Sequence, residues 1–163
     1  MARRWAVVAL SALALATVQL GASWAQAAAP KFHETTYRFT GRVDCGSFVD
    51  RYSDRYRVAT RTFLGPSGRA VRKIEHVRHT STDRNSVTGL VVHQHDRYNV
   101  VTNLRNGTIR VAGGIFRINR PGKGMVIHDV GRIVMDKQQN LVFTAGRHDV
   151  LGKASTVFCK ALA

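Results

Sequence analysis

The feature that most constrains this chain is an alternation of side-chain types with a two-residue period. Between residues 37 and 43, aromatic and small apolar residues alternate with arginine and threonine, and residues 56–64 repeat the pattern. A two-residue period is typical of a β-strand, whose successive side chains point to opposite faces. No stretch after residue 30 has the 3.6-residue periodicity of a helix longer than three turns. The sequence therefore predicts a β protein.

Eight β-rich segments follow one another, at residues 37–43, 56–64, 70–79, 86–95, 98–104, 108–119, 124–135 and 140–145. Turn-forming residues occupy the breaks between them, at 65–68, 82–85, 96–97, 106–107, 120–123 and 136–139. Asn106-Gly107 predicts a two-residue hairpin, because a type I′ turn needs positive φ at both central positions. Gly113-Gly114, inside a long strand, predicts a β-bulge or a bend.

Short connections throughout predict antiparallel neighbours, and eight such strands can close as an up-and-down barrel. Closure removes the sheet edges and leaves an interior that holds side chains or one small ligand. We therefore expect an all-β domain with a single eight-stranded antiparallel barrel, similar in architecture to lipocalin-type or allene-oxide-cyclase-type barrels. A two-sheet β-sandwich is the alternative.

The N-terminus has the layout of a cleavable secretory signal peptide. Arg3 and Arg4 precede the apolar run 6–16, and the small-residue stretch Ala25-Gln26-Ala27 follows. This order of basic, apolar and A-x-A segments is the one that a signal peptidase recognises. We expect cleavage after Ala27, a single mature domain over residues 28–163, a secreted, extracellular product and no remaining transmembrane anchor. An uncleaved membrane anchor is the alternative.

Cysteine usage agrees with export. The chain contains two cysteines, Cys45 and Cys159, one near each end of the predicted mature domain. In an oxidising compartment an isolated pair most simply forms one disulfide. We expect this bond to join the first and last strands, with a reactive thiol or a metal ligand as the alternative.

The charge of the chain is strongly positive, with 25 Lys and Arg against 10 Asp and Glu. Such a charge attracts anionic polymers, or it only keeps the protein soluble. The segment 51–57 interleaves cations with aromatic rings, a combination that contacts phosphates while stacking on bases or sugars. The candidate polyanion-binding residues are therefore Arg51, Tyr52, Arg55, Tyr56 and Arg57, with a solvated loop leading into a strand as the alternative.

Histidines are the best candidates for metal chemistry. His93 and His95 are two residues apart on a predicted strand, which places both imidazoles on one face, and His128 on a later strand can supply a third ligand. The alternative is that all three are surface or hydrogen-bonded polar residues. His148-Asp149 has the composition of a catalytic dyad, but the sequence assigns no nucleophile to it. The sequence identifies no catalytic residue, and it predicts no cofactor other than a possible metal at His93, His95 and His128.

Several short segments at both ends of the predicted mature domain carry a family resemblance. They are Asp44-Cys45-Gly46 and the segments 131–136, 140–146, 148–149 and 158–162. In these segments the chain resembles small secreted bacterial β-domain proteins of unassigned function. The resemblance implies secretion, a β domain and the disulfide, and it supplies no catalytic residue.

Three functions remain compatible with the sequence. The first is a non-catalytic barrel that binds a small apolar ligand. The second is a cationic protein that binds anionic cell-surface polymers. The third is a small barrel enzyme, either an isomerase or cyclase or a histidine-metal enzyme.

Overall fold

Seven β-strands and one short helix follow one another along residues 29–163, which are the residues that the computed structural model describes. The predicted signal peptide, residues 1–27, lies outside this range. The elements are Lys31–Asp44 (β1), Val49–Leu64 (β2), Ala70–Asn85 (β3), Val91–Asn103 (β4), Ile109–Arg120 (β5), Gly124–Met135 (β6), Leu141–Arg147 (β7) and Ala154–Leu162 (α1).

The strands form one antiparallel sheet in which each pairs with its neighbours in the chain, in the order β1 to β7. This confirms the all-β prediction and the up-and-down connectivity. The sheet has seven strands instead of eight, and within residues 29–163 it is not closed into a barrel, because β1 and β7 are edges that do not pair with each other. Nor does a second sheet from the described part of the chain pack on it to form a sandwich.

Two predicted turns are strand interiors, and the first of them accounts for the difference of one strand. Asp96-Arg97 continues β4, where Asp96 pairs with His79 across the sheet. Residues 82–85 likewise continue β3, and the connection to β4 falls at residues 86–90, where Gly89 has a φ of 71°. Asp and Asn favour turns because their side chains bond nearby backbone groups, but strand pairing overrides that local preference here.

Two glycine predictions have different outcomes. Gly107 has a φ of 74°, but Asn106 has no positive φ, so the two residues belong to a longer loop. The predicted hairpin is confirmed, since β4 and β5 are antiparallel neighbours, but the predicted type I′ turn is wrong. That loop is closed by hydrogen bonds between Asn103 and Thr108 and between Gly107 and Asn103. The predicted irregularity at Gly113-Gly114 is confirmed, since the register between β5 and β6 shifts just after Gly114.

Helix α1 covers one end of one face of the sheet, and most of the core lies beneath it. Phe158 and Leu162 of α1 pack with residues from three strands and from the loops, namely Phe48, Val92, Ile118, Ile127 and Val150. The side-chain amide of Asn85 donates a hydrogen bond to the carbonyl of Leu162, which links the last turn of α1 to β3. No helical structure in residues 29–163 has the length and hydropathy needed to span a membrane.

The predicted disulfide between Cys45 and Cys159 is present, with a Cα–Cα distance of 5.5 Å. Its partners differ from the prediction in one respect. Cys45 follows β1, as expected, but Cys159 lies on α1 and not on the last strand. The bond therefore fastens the helix to the sheet.

The two faces of the sheet have opposite character. We call the face beneath α1 the inner face and the opposite one the outer face. In β3, residues 77–85 alternate strictly between buried and exposed, with the odd-numbered residues buried on the inner face. The same alternation holds in β4 from Val92 to Arg97, where the even-numbered residues are buried. This alternation determines the chemistry of each face.

Candidate functional site

A cleft of about 360 Å³ opens on the inner face beside α1. Strands β2, β3 and β4 supply most of its polar lining, and α1 contributes Ser155 and Phe158. The polar lining consists of Asp50, Tyr52, Asp54, Tyr56, His79, Asp83, Gln94, Asp96 and Tyr98. The volume is within the range of small-molecule sites, roughly 300 to 1,000 Å³.

The strand register brings these side chains together. Tyr56, His79 and Asp96 are directly paired across β2, β3 and β4, so their side chains form one row on the inner face. Tyr52 and Asp83 are paired in a second row, nearer to α1. Side chains in the same row lie about 5 Å apart at Cβ, which is close enough for direct contact.

His79 lies between two carboxylates. Its Nδ1 is 2.8 Å from Oδ2 of Asp96, and its Nε2 is 3.3 Å from Oδ1 of Asp54, without hydrogen-bond alignment. Burial alone lowers the pKa of His79, but the two carboxylates outweigh it and the net direction is upward from 6.5. A neighbouring anion favours the imidazolium form. The ring also stacks on Tyr56, with centroids 4.0 Å apart.

Asp96 is fully partnered, unlike two other carboxyl groups in the cleft. It accepts hydrogen bonds from the side chains of His79 and Gln94 and from the backbone N–H of Arg117. By contrast, Oδ2 of Asp50 and Oδ2 of Asp83 are buried and have no hydrogen-bond partner. Both side chains are almost completely buried, with 1% of Asp50 and 4% of Asp83 exposed.

Burial changes the protonation of these two carboxyl groups. It raises the pKa of Asp83 to about 7, and the charges of Asp50 and Asp54 add to this effect, whereas the hydroxyl group of Ser81 and the charge of His79 oppose it. It raises the pKa of Asp50 to about 6, despite a hydrogen bond from the backbone N–H of Arg84. Asp83 therefore exchanges a proton near neutral pH. This property suits proton transfer, and it also suits the binding of a ligand that depends on the charge of Asp83.

Tyrosines form the aromatic part of the lining. The ring of Tyr52 lies over Gly41 of β1, and a Cβ added at position 41 would overlap it. Burial raises the pKa of Tyr56 to about 12 and also raises that of Tyr98, so both hydroxyl groups stay protonated at neutral pH. Each tyrosine thus offers the cleft a neutral ring and a hydroxyl group.

The charge of the lining is opposite to that of the whole chain. Four of the ten acidic residues line the cleft, namely Asp50, Asp54, Asp83 and Asp96. Among the described residues the lining includes no Lys or Arg, although the chain has 25 of them. The cleft is therefore a local anionic site in a cationic protein.

The structure does not bring the predicted metal ligands together. His93 and His95 are exposed on the outer face of β4, and His128 is half-buried on β6. Strand β5 lies between them, so about 10 Å separates the two histidine-bearing strands. Across residues 29–163, no group of three or more His, Cys, Asp or Glu side chains is arranged to hold a metal ion.

The predicted polyanion-binding segment is divided between the two faces. Tyr52 and Tyr56 turn into the cleft, whereas Arg51, Arg55 and Arg57 are exposed on the outer face. Cations and aromatic rings therefore do not form one combined surface. The arginines instead align with others across the sheet, and the tyrosines belong to the cleft.

His148 pairs with Asp129 and not with Asp149, the next residue in the chain. Its Nδ1 is 2.7 Å from Oδ1 of Asp129, and Asp129 also accepts a hydrogen bond from the backbone N–H of Val150. Asp149 pairs with Arg147 through two hydrogen bonds of 2.9 Å. The His148-Asp149 dyad is not formed, and these contacts fix the segment between β7 and α1.

Sequence reasoning missed the acidic residues of the cleft. A usable signal is present in β2, where acidic and tyrosine residues recur at every second position, with exposed arginine or serine between them. They are Asp50, Tyr52, Asp54 and Tyr56. On a strand that spacing places all four side chains on one face. Asp83 and Asp96 gave no comparable signal, because their local sequences are typical of turns.

Comparison of the chain with known protein families, with curated proteins and with solved structures found no match.

Proposed function

We propose that this chain is a non-catalytic binding protein that holds one small molecule in the inner cleft, between the sheet and α1. The observation that carries the proposal is the pair of buried, unpartnered carboxyl oxygens of Asp50 and Asp83 at the wall of the cleft. A buried polar atom without a partner costs about 1 to 3 kcal/mol, and a ligand that bonds to it recovers that cost.

The lining favours a ligand with polar groups over a wholly apolar one. The side chains of Asp50, Asp54, Asp83 and Asp96 present carboxyl oxygens, and the rings of Tyr52 and Tyr98 present both apolar surface and hydroxyl groups. Small-molecule sites commonly combine apolar walls with a few convergent polar groups. The open sheet provides these walls together with α1, so ligand binding does not require the closed barrel expected from the sequence.

Native mass spectrometry of the protein purified from its source tests the proposal, because a bound molecule adds its mass to the chain. Ser155→Trp places a large ring at the wall of the cleft, and Thr156→Trp, at the next exposed position of α1, is the matched control. We expect a bound small molecule in the wild type and in Thr156→Trp, and none in Ser155→Trp. A bare wild-type protein, or an adduct that survives in Ser155→Trp, would contradict the proposal.

A second candidate function is supported by the outer face. Arg57, Arg78 and Arg97 are directly paired across β2, β3 and β4, and so are Arg42, Arg51 and Arg84 across β1, β2 and β3. All six side chains are exposed. Like charges directly opposite each other destabilise a sheet, so these rows carry a cost that a bound anionic polymer would offset. We propose that the outer face binds such polymers.

Export is the third part of the proposal. Arg3, Arg4 and the Ala25-Gln26-Ala27 stretch support cleavage after Ala27, and the disulfide is compatible with an oxidising compartment. The resemblance to small secreted bacterial proteins supports the same destination. The denatured mass of the secreted protein tests this part, since we expect a chain that begins at Ala28, and a chain that retains Met1 would contradict it.

A further inference from the structure

We propose that the molecule held in the inner cleft is a small organic cation with N–H donors, a protonated primary amine or a guanidinium, on a short apolar body. The inference rests on the proposed ligand-binding function and specifies its ligand class. Its basis is the juxtaposition of Asp50 and Asp83, each with an unpartnered buried oxygen, in a cleft whose lining includes no cationic residue except His79.

The two unpartnered oxygens determine the hydrogen-bonding character of the ligand. Oδ2 of Asp50 and Oδ2 of Asp83 have no donor within the described residues, whereas Asp96 in the same cleft has three. In its ionised form a carboxyl group accepts hydrogen bonds and donates none, so the partner that stabilises the ionised pair is a donor. Ammonium and guanidinium groups carry three and five N–H donors respectively, which is enough to reach two neighbouring carboxyl groups.

The charge balance of the cleft determines the sign of the ligand. Four carboxyl groups face one imidazole, that of His79, which already lies between Asp54 and Asp96. Asp50 and Asp83 thus have no counter-charge of their own in the lining. A buried carboxylate without a cation is strongly unfavourable, and a ligand cation supplies the missing charge.

The rest of the lining accounts for the apolar body of the ligand. Val43, Ile115, Phe116 and Phe158 supply apolar surface around the carboxyl groups. Tyr52 and Tyr98 add aromatic faces, which attract cations as well as apolar groups. An amine on a short hydrocarbon or aromatic body satisfies both parts of the lining.

Proton release gives the inference a second, independent signature. The groups that face the ligand are Asp50, Tyr52, Asp54 and Tyr56 on β2, His79 and Asp83 on β3, and Asp96 and Tyr98 on β4. The pKa of Asp83 is raised to about 7 and that of Asp50 to about 6, so a share of both groups is protonated at pH 6.5. A bound cation favours their ionised forms, so binding releases protons and strengthens as the pH rises from 5 to 8.

The experiment is calorimetric titration of the full secreted protein with four probes that share one aromatic body. The probes are 2-phenylethylamine, 2-phenylethanol, 3-phenylpropanoate and the trimethylammonium derivative of 2-phenylethylamine. We expect the primary amine to bind at least tenfold more tightly than each of the others. The quaternary probe separates the requirement for N–H donors from the requirement for positive charge, because it has the charge and no N–H group.

Asp83→Asn and Asp50→Asn then locate the binding. We expect each to weaken the binding of 2-phenylethylamine at least tenfold, and we expect Asp83→Asn to reduce proton release, measured in buffers of different ionisation enthalpy. Glu34→Gln is the matched control, because it makes the same charge change on an exposed residue that pairs with Arg57 outside the cleft. Circular dichroism at the titration temperature establishes that each variant is folded.

Two kinds of result would overturn the inference and leave the proposed function in place. One is binding of the alcohol, the carboxylate or the quaternary probe as tightly as the primary amine. The other is failure of all four probes while the native protein still carries a mass that Ser155→Trp removes. If the proposed binding function itself is wrong, the result differs from both. The native mass spectrum then shows no bound molecule that Ser155→Trp removes. The inference would also be overturned if Asp83→Asn and Asp50→Asn bound 2-phenylethylamine as tightly as the wild type.

Discussion

The ring of Tyr56 on β2 lies flat against the imidazole of His79 on β3, with centroids 4.0 Å apart and an interplanar angle of 10°. One residue further along β2, Arg57 is exposed on the opposite face, where it is paired with Arg78. The alternation of the strands therefore separates an anionic, aromatic cleft from a row of arginines. Two surfaces with opposite charge share the same three strands.

The first prediction concerns the pH dependence of stability. The folded pKa of Asp83 is about 7, above its ordinary 3.8, so the folded protein binds this proton more tightly than the unfolded chain does. The contribution to stability is complete below pH 3.8 and is lost as the pH rises through 7. Asp83→Asn removes this loss. We expect the variant to match the wild type near pH 4 and to exceed its free energy of unfolding at pH 8, by on the order of 1 kcal/mol because water in the open cleft screens the charge.

Denaturant unfolding at pH 4, 6 and 8 measures this difference. Asp50 has a folded pKa of about 6, and the pKa of His79 is also raised. Both groups therefore also lower the free energy of unfolding as the pH rises. His79 contributes below pH 6.5, and that contribution is lost above its folded pKa. Glu34→Gln on the outer face serves as the control and should gain no stability as the pH rises. An Asp83→Asn variant that is less stable than the wild type at pH 8 would show that the carboxylate has a partner in the folded protein.

The second prediction concerns the wall of the cleft at Gly41. A Cβ at this position overlaps the ring of Tyr52, and the ring is the flexible group that gives way. We expect Gly41→Ala to change the thermal midpoint only slightly, because Ala suits a strand better than Gly. We expect the affinity for 2-phenylethylamine to fall at least fivefold, because the displaced ring occupies part of the cleft. Thr40→Ala, on the outer face beside it, should leave the affinity unchanged. Full affinity in Gly41→Ala would exclude Tyr52 as a wall of the site.

The third prediction concerns the arginine row of the outer face. Replacing Arg57, Arg78 and Arg97 by Gln should lower the salt concentration at which the protein elutes from immobilised heparin. It should not lower the free energy of unfolding, because it removes repulsion between paired like charges and the exposed Arg57–Glu34 ion pair that is also lost contributes little. The control replaces three exposed cations in loops, at Arg69, Arg105 and Lys123, which changes the net charge equally. Equal losses of retention in the two triple variants would indicate that net charge alone governs binding.

The fourth prediction concerns the disulfide. Cys45 and Cys159 are separated by 114 residues, and the bond fastens α1 to the end of β1. The chain-entropy estimate for a loop of this length is about 4 to 5 kcal/mol, so reduction should lower the free energy of unfolding by roughly that amount. The double variant Cys45→Ser and Cys159→Ser should be equally destabilised and should not respond to reductant. A reduced wild type as stable as the oxidised form would contradict the prediction.

Much of the architecture was predictable from local patterns. The two-residue alternation indicated the strands, the isolated cysteine pair indicated the disulfide, and Gly113-Gly114 indicated the bulge. The number of strands was not predictable in this way. Asp83 and Asp96 are turn formers by local preference, yet in the sheet they pair with Tyr52 and His79 and continue their strands.

The residues that stand out in the sequence differ from those that line the cleft for a related reason. The composition of residues 51–57 predicts one cation-aromatic surface, whereas strand alternation sends Tyr52 and Tyr56 to the face opposite the arginines. The histidines that stood out in the sequence, His93 and His95, are exposed, whereas the histidine that lines the cleft is His79. The pairing of β2, β3 and β4 creates the cleft, and the register of three strands is a property of the fold that no local motif encodes.

The most direct test of the account is the position of a bound amine, measured by intermolecular NOEs between 2-phenylethylamine and the protein at pH 7. We predict contacts from the ligand to the rings of Tyr52 and Tyr98 and to Phe158, together with a lowered pKa of Asp83, read from its side-chain ¹³C resonance. These contacts would place the cation beside the two unpartnered carboxyl groups. Contacts confined to the outer face or to β7, with the titration of Asp83 unchanged by the ligand, would contradict the account.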